Sequence, residues 1–136
     1  MNSNDIDEVK TEGDLLKAMF ARQKALEERY NVIEKKNGEQ IPNLPLNPHT
    51  FEGQRRMRSI IYRITEELYE AGNCLRNKAW KTSHVVCDYD HFLEEISDMV
   101  HFVLQLYIEL GLTAEDMCNL YFRKAKVNDF RQKSNY

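Results

Sequence analysis

Residues 90–113, DHFLEEISDMVHFVLQLYIELGLT, combine a long helical period with a sharp stop. The apolar positions of this stretch recur at three- and four-residue spacings: Phe92, Ile96, Met99, Val103, Leu106 and Leu110. Such spacing places them on one face of an α-helix. Gly111 can adopt the left-handed backbone that ends a helix, and Thr113 is a typical N-cap for the next one. The stretch therefore predicts a helix over residues 90–110 and another that begins at residue 114.

The rest of the chain is also helical in its pattern. We predict further helices over residues 13–36, 54–77 and 114–130, and we expect an all-α fold that resembles a four-helix bundle. Prolines and glycines cluster in residues 37–53, which predicts an ordered loop or an arm that reaches a neighbour. The apolar stripes predicted for the first two helices are Leu16, Met19, Gln23, Leu26, Tyr30 and Ile33, and then Met57, Ile61, Ile64, Leu68, Ala71 and Leu75.

Length and composition are those of one small globular domain. With 136 residues, of which 42% are hydrophobic and 30% charged, we expect a single domain over residues 1–136. Its ends, residues 1–12 and 133–136, are expected to be flexible without ligand. The apolar runs are too short to span a bilayer. The three cysteines are too few for a disulfide framework and indicate a reducing compartment, so we expect a cytoplasmic protein.

The net charge of −3 conceals a strong division along the chain. Residues 54–81 carry +4, residues 82–120 carry −8 with no Lys or Arg, and residues 121–136 carry +4 again. A general nucleic-acid binder would show one dominant basic surface, and this chain does not. The division is instead typical of a site in which carboxylates and cations have different roles.

Two short acidic motifs, EELYE at residues 66–70 and EEISD at residues 94–98, are the main candidates for chemistry. Their three-residue spacing puts two carboxylates on one face of each helix. If the helices pack against each other, four carboxylates meet: Glu67, Glu70, Glu95 and Asp98. Carboxylates this close repel one another unless cations lie between them, and hard oxygen ligands suit Mg²⁺ or Mn²⁺.

The alternative is that both motifs are solvated helix faces, since Glu is a good helix former. Two observations count against it. Glu67 and Glu95 directly adjoin the apolar stripe, and no Lys or Arg follows any of the four carboxylates at i+4. Both interpretations stay open on the residues alone.

Three further features suggest a polar ligand. Gln23 interrupts an apolar seam and could read the edge of a heterocycle, although a satisfied core glutamine is the simpler interpretation. Trp80, between two lysines, could stack on a ring or anchor a loop. A basic face of the last helix could bind phosphate or could simply complement the helix dipole. That face contains Lys124, Asn128 and Arg131.

A zinc site is another possible use of the polar residues before and in the third predicted helix. His84, Cys87 and His91 offer nitrogen and sulfur ligands within eight residues, and Cys74 could add a fourth. No C-x-x-C pair accompanies them, so a structural zinc is the weaker interpretation.

Taken together, these motifs resemble the all-α nucleoside triphosphate pyrophosphohydrolases, the superfamily of MazG and the dimeric dUTPases. The stretch EEISDMVHFVL at residues 94–104 is similar to the metal helix of the branch that includes the dimeric dUTPases and phage dCTPase-dUTPases. LYFRKAKVNDFRQKSNY at residues 120–136 is similar to its C-terminal phosphate-binding signature, although Asn135 replaces the usual glycine. KAWK at residues 78–81 and the Gln23 segment resemble two more of its elements.

The resemblance implies hydrolysis of a deoxynucleoside triphosphate, dUTP or dCTP or both, to the monophosphate and pyrophosphate. Two or more Mg²⁺ ions would be held by the four carboxylates, with Glu67 as the base and Glu66 as the second candidate. The phosphate ligands would be Lys81, Lys124, Asn128, Arg131 and Tyr136. Around the base and sugar the resemblance implies Gln23, Trp80, His101 and Phe102.

The same resemblance implies a homodimer, in a host cytoplasm if the chain is encoded by a phage. Nothing points to a nucleic-acid or membrane partner. Two alternatives stay open: a MazG-like house-cleaning pyrophosphohydrolase for other or modified nucleotides, and a non-catalytic helical module that binds a partner protein.

Overall fold

The computed structural model describes residues 13–134, and it confirms the all-α fold class. Within that range the chain forms four helices and no strand. None of these helices is both long enough and apolar enough to cross a membrane. The helices are α1, Leu15–Lys36; α2, Phe51–Cys74; α3, Tyr89–Glu109; and α4, Ala114–Lys133.

Side-chain caps set the starts of the helices. Asp14, Thr50 and Asp88 each accept a hydrogen bond from the backbone N–H three residues later. Thr113 and Asp116 form a reciprocal capping box at the start of α4. The four N-caps are therefore all Asp or Thr, whose short side chains reach the otherwise unpaired N–H groups of the first turn.

Helix α2 lies three residues earlier than predicted, at Phe51–Cys74 instead of 54–77. The prediction treated Gly53 as part of the preceding loop, but Thr50 caps the helix and Gly53 lies in its first turn. A Cβ atom on Gly53 would stand 2.0 Å from the carbonyl oxygen of Asn47. Glycine is therefore required there by close contact with the loop and does not break the helix. At the other end of the chain, α4 continues to Lys133 and not to residue 130.

The loop between α1 and α2 is anchored to the end of α3. The backbone N–H of Leu46 donates to the carbonyl oxygen of Glu109 over 2.7 Å, and the Leu46 side chain is buried. Pro45 of the same loop lies against Gly111, where the chain turns from α3 towards α4.

Helices α2 and α3 form an antiparallel pair, and α1 packs across α3 while α4 contacts α1. The small apolar core contains Phe20 of α1, Leu104 of α3 and Ala114 of α4. The antiparallel direction follows from two pairs of contacts. Near the start of α2, Arg56 meets Glu109, and towards its end Glu67 meets Glu95.

The buried faces of α1 and α2 differ from the predicted stripes. In α2, Ile60 is completely buried, whereas Ile61 and Leu68 are half exposed. The observed buried residues of the two helices are Phe20, Gln23 and Glu27, and then Gly53, Arg56, Ile60, Ala71 and Cys74. Because Ile60 and not Ile61 is buried, the buried face of α2 is shifted by one residue from the predicted one, which is a rotation of about 100° about the helix axis. This rotation turns Glu67 and Arg56 towards α3.

Candidate active site

Three carboxylates from two helices converge as the spacing predicted. Oxygen atoms of Glu67 on α2 and of Glu95 and Asp98 on α3 all lie within 4.8 Å of one another. Glu70, one turn after Glu67, interacts with the same Glu95 carboxylate. Glu95 is buried, Glu67 and Asp98 are half-buried, and Glu66 is exposed. The convergence depends on the antiparallel packing of α2 and α3.

The cluster carries charges that cannot all coexist without a counterion. Burial, a hydrogen bond to Glu95 and repulsion from the neighbouring carboxylates raise the pKa of Glu67 to about 8. Burial and Glu95 also raise the pKa of Asp98. The pKa of Glu95 is lowered, first by hydrogen bonding from Glu67 and also by Glu70 and His91. Glu95 thus holds the negative charge while its neighbours tend to keep protons.

These residues fit a hard divalent cation. The Oε2 atom of Glu67 is buried without a hydrogen-bond partner, so the protein itself leaves one lone-pair donor unsatisfied. The four carboxylates supply only oxygen ligands, the set that Mg²⁺ and Mn²⁺ prefer. A cation among them would replace the shared protons and relieve the repulsion.

A pocket of about 240 Å³ adjoins the carboxylates. Glu67 and Asp98 form its acidic side, while α1 contributes the Gln23 side chain. Gln23 is only 2% exposed, and its Oε1 atom lies 2.6 Å from Nδ1 of His101. The remaining lining residues are Leu26, Tyr30, His101 and Phe102. One cavity therefore contains carboxylates, a buried amide and aromatic rings.

Comparisons with known proteins show the family of the chain. A family model described as dUTPase matches residues 15–117, most of the chain. The chain belongs to the dUTPase family. This is the all-α, MazG-like dUTPase family, and its members are nucleoside triphosphate pyrophosphatases.

One curated relative of this dUTPase family chain matches over a short segment. It is the protein named dCTP pyrophosphatase of Enterobacteria phage T4, 43% identical over 42 residues. The match covers 31% of this chain and 25% of the relative, so the chain aligns with a quarter of that protein's length. No solved structure matches the chain.

Of the other rings and cations assigned from the sequence, those that the structure of this dUTPase family chain describes lie outside the pocket. Among the residues that line it, none comes from α4 or from the loop between α2 and α3. Trp80 is 78% exposed in that loop, with the Lys78 ammonium 5.5 Å from its ring centre. Tyr136 lies outside the described residues. The predicted phosphate contacts of Lys81, Lys124, Asn128, Arg131 and Tyr136 and the stacking of Trp80 stay predictions.

The zinc interpretation finds no support in the part of the chain that the structure describes. There, the only group of three or more potential ligands is the carboxylate cluster, and it excludes His84 and Cys87. His91 is used differently, since its Nε2 atom lies 2.7 Å from Oε1 of Glu95. His91 therefore supports the position of a carboxylate in the cluster.

Sequence reasoning missed a buried polar network at the other end of the α2–α3 pair. Arg56 donates to both carboxylate oxygens of Glu109, over 2.9 and 3.2 Å, and Gln105 donates to the same carboxylate over 2.7 Å. Glu109 is fully buried, and Glu27, one turn after Gln23, is 3% exposed. The sequence signal was limited to the four-residue spacing of Gln23 and Glu27, which puts two polar side chains on one face of α1.

A second layer of contacts supports the aromatic wall of the pocket. The Arg63 guanidinium lies over the Phe102 ring, 5.9 Å from its centre, and pairs with Glu34 of α1. Glu34 also meets Arg56 at 3.4 Å. These pairs tie α1 to α2 directly beside the pocket.

Proposed function

We propose that this chain is a Mg²⁺-dependent hydrolase that converts dUTP, dCTP or both to the monophosphate and pyrophosphate. The observation that carries the proposal is the carboxylate cluster of Glu67, Glu95 and Asp98 beside a pocket that contains the Gln23 amide. Membership of the dUTPase family and the similarity to a protein named dCTP pyrophosphatase support the choice of substrates.

The metal would be held by four carboxylates: Glu67, Glu70, Glu95 and Asp98. When bound, Mg²⁺ or Mn²⁺ neutralises the charge of the phosphates and lowers the pKa of a bound water. His91 holds Glu95 in place through their 2.7 Å contact.

Glu67 is the best placed group to accept a proton from the attacking water. It is half-buried in the cluster, and its Oε2 atom has no other partner. Glu66, the second candidate, is exposed one residue earlier on α2. A half-buried carboxyl with one oxygen atom free of hydrogen bonds is better placed as general base than an exposed one.

The nucleobase of the substrate would be recognised by Gln23, whose amide offers both a donor and an acceptor. Phe102 and His101 would lie against the base and sugar, in the same pocket. Trp80 would join them only if its loop closes, because it is highly exposed. Lys81 lies in the same loop and is assigned to the phosphates on the family resemblance.

The remaining phosphate contacts are assigned to Lys124, Asn128, Arg131 and Tyr136, and the family resemblance implies a homodimer. Helix α4 contacts α1 but exposes a set of large apolar side chains that includes Tyr121, Phe122 and Phe130. Covering this surface with a second copy would bury apolar area that a chain of this size needs. We place the enzyme in the cytoplasm, the host's if it is phage-encoded, and its free cysteines accord with a reducing environment.

The test is release of pyrophosphate from a panel of nucleotides with and without Mg²⁺. Turnover of dUTP or dCTP that requires Mg²⁺ and is lost in Glu95→Gln supports the proposal. Turnover confined to modified or other nucleotides would point to the house-cleaning alternative. No turnover, together with a melting temperature that neither Mg²⁺ nor a non-hydrolysable dUTP analogue raises, would favour the interaction module.

A further inference from the structure

The Gln23 amide has two polar neighbours, His101 on α3 and Glu27 on its own helix. Nδ1 of His101 on α3 lies 2.6 Å from its Oε1 atom. Glu27 lies one turn further along α1, and hydrogen bonding from Gln23 favours its charged form. Gln23 and Glu27 are 2% and 3% exposed, so water competes little for these contacts.

Both partners can either donate or accept a hydrogen bond. A neutral imidazole carries its proton on either ring nitrogen, so Nδ1 of His101 can take either role. A carboxyl group donates when protonated and accepts when ionised. The Oε1 atom of Glu27 is buried without a partner, so it is free to accept a hydrogen bond when the carboxyl is ionised and, when it carries the proton, to donate one.

Glu27 titrates in the neutral range, because burial and repulsion from Glu109 of α3 raise its pKa to about 8. Gln23, Arg56 of α2 and Lys24 of α1 oppose that rise. Both forms of the carboxyl are therefore present near neutral pH. Glu27 does not belong to the carboxylate cluster, since the groups that perturb it include none of Glu67, Glu70, Glu95 or Asp98.

Uracil and cytosine present opposite patterns to such an amide. Cytosine offers an N4 amino donor beside the N3 acceptor, whereas uracil offers an O4 acceptor beside the N3–H donor. An amide that pairs with one base must exchange its oxygen and its nitrogen to pair with the other. A glutamine whose two protein partners accept either arrangement can make that exchange without leaving a buried group unpaired.

We propose that Glu27, together with His101, allows the Gln23 amide to flip and exchange the positions of its oxygen and nitrogen, so that one pocket accepts both uracil and cytosine nucleotides. Glu27 is then a positioning residue for base selection. The inference rests on the proposed function, since it requires that Gln23 reads the base. The family is described as dUTPase and the T4 relative is named dCTP pyrophosphatase, so the two names cover both bases.

The arrangement has a defined pH dependence. When Oε1 of Gln23 faces Glu27, the carboxyl must carry a proton in order to donate. When Nε2 faces Glu27, either form of the carboxyl can accept. Raising the pH through the pKa of Glu27 therefore removes one arrangement and spares the other. We therefore expect kcat/KM for one of the two nucleotides to fall relative to kcat/KM for the other, by up to about tenfold for each pH unit above the pKa of Glu27.

The experiment compares kcat/KM for dCTP and dUTP between about pH 6 and pH 8.5, where the ratio cancels the pH dependence that both reactions share. In the wild-type protein we expect the ratio to change at the alkaline end. Glu27→Gln keeps a donor and an acceptor but does not titrate, so its ratio should stay constant. Glu28→Gln, an exposed neighbour on α1, is the matched control and should follow the wild-type curve.

Glu27→Met tests positioning separately from titration. It removes one partner of the amide, and we expect KM to rise about 5- to 20-fold for both nucleotides while kcat changes little. A constant ratio in the wild-type protein, or the wild-type curve in Glu27→Gln, would overturn the inference while both nucleotides are still hydrolysed. Hydrolysis of only one nucleotide at every pH would also overturn it. If neither is hydrolysed, the proposed function fails with it.

Discussion

Replacing Glu67 by Gln should stabilise the metal-free protein at alkaline pH while it abolishes turnover. Gln keeps the size of the side chain but removes its charge from the cluster. The raised pKa of Glu67 means that the folded state holds a proton that the unfolded chain releases at lower pH. Glu67 therefore contributes a fall in wild-type stability as the pH rises from about 4.5 to about 8, and the variant should lack this contribution.

The size of the effect follows from the spacing of the carboxylates. Two unit charges 4.8 Å apart repel by about 0.9 kcal/mol in water and by about 3.5 kcal/mol at an effective dielectric constant of 20. Glu67 has two such neighbours, Glu95 and Asp98, and it is half exposed, so the value lies nearer the screened limit. We expect a gain of about 2 kcal/mol at pH 8.5, which is about 4–9 °C in melting temperature.

The assay is thermal unfolding of the metal-free protein in chelator at about pH 6 and pH 8.5, with pyrophosphate release measured in Mg²⁺. Glu28→Gln, a surface charge on α1, is the control and should melt like the wild type at both values. The melting temperature of the Glu67 variant should lie above that of the wild type at pH 8.5 and exceed it by much less at pH 6. Its rate of pyrophosphate release should fall by about 10²- to 10⁴-fold. Equal melting temperatures at pH 8.5, or an equal gain at both pH values, would refute the repulsion argument.

Three other predictions follow from the described contacts. Mg²⁺ should raise the melting temperature more at pH 8 than at pH 6, because protons compete with the cation; a pH-independent shift would contradict this. Arg56→Met should destabilise the protein by about 3–5 kcal/mol in denaturant unfolding, since it leaves Glu109 buried and charged, and the double variant with Glu109→Leu should recover most of the loss. Gly53→Ala should cost more than about 2 kcal/mol because its Cβ would meet Asn47, whereas Gly72→Ala, where nothing lies within 4 Å, should gain about 0.5–1 kcal/mol; similar effects in both would refute the contact argument.

The fold class could be predicted because the helical period is strong and the stops are local. In α3, the apolar positions before Gly111 and the cap at Thr113 give the helix and its end within one residue. In α2, adjacent Ile60 and Ile61 allow two stripes that differ by one residue, and the sequence pattern alone favours the wrong one. The burial of Arg56 decides between them, and it depends on a partner 53 residues away.

The candidate site also combines features that the sequence predicts with features that it does not. The paired carboxylates could be predicted because i, i+3 spacing fixes a shared face. The contact of Gln23 with His101 joins residues 78 positions apart, so only the family resemblance placed both at the base. Glu27 and Glu109 were missed because charged residues are seldom fully buried, and their burial becomes plausible only when their partners are known. Nothing in the sequence pattern identifies those partners.

The ion pair of Arg56 and Glu109 has a consequence for the alignment of α2 and α3. It lies about 16 Å along α2 from Glu67, far from the carboxylate cluster. If α2 slipped past α3 by one turn, about 5.4 Å, apolar contacts could reform but this pair could not. The slip would leave two buried charges unpaired at a cost of several kcal/mol. The pair thus fixes how far α2 can slide along α3, although it lies far from the carboxylates. Glu67 can face Asp98 only in the alignment that this pair sets.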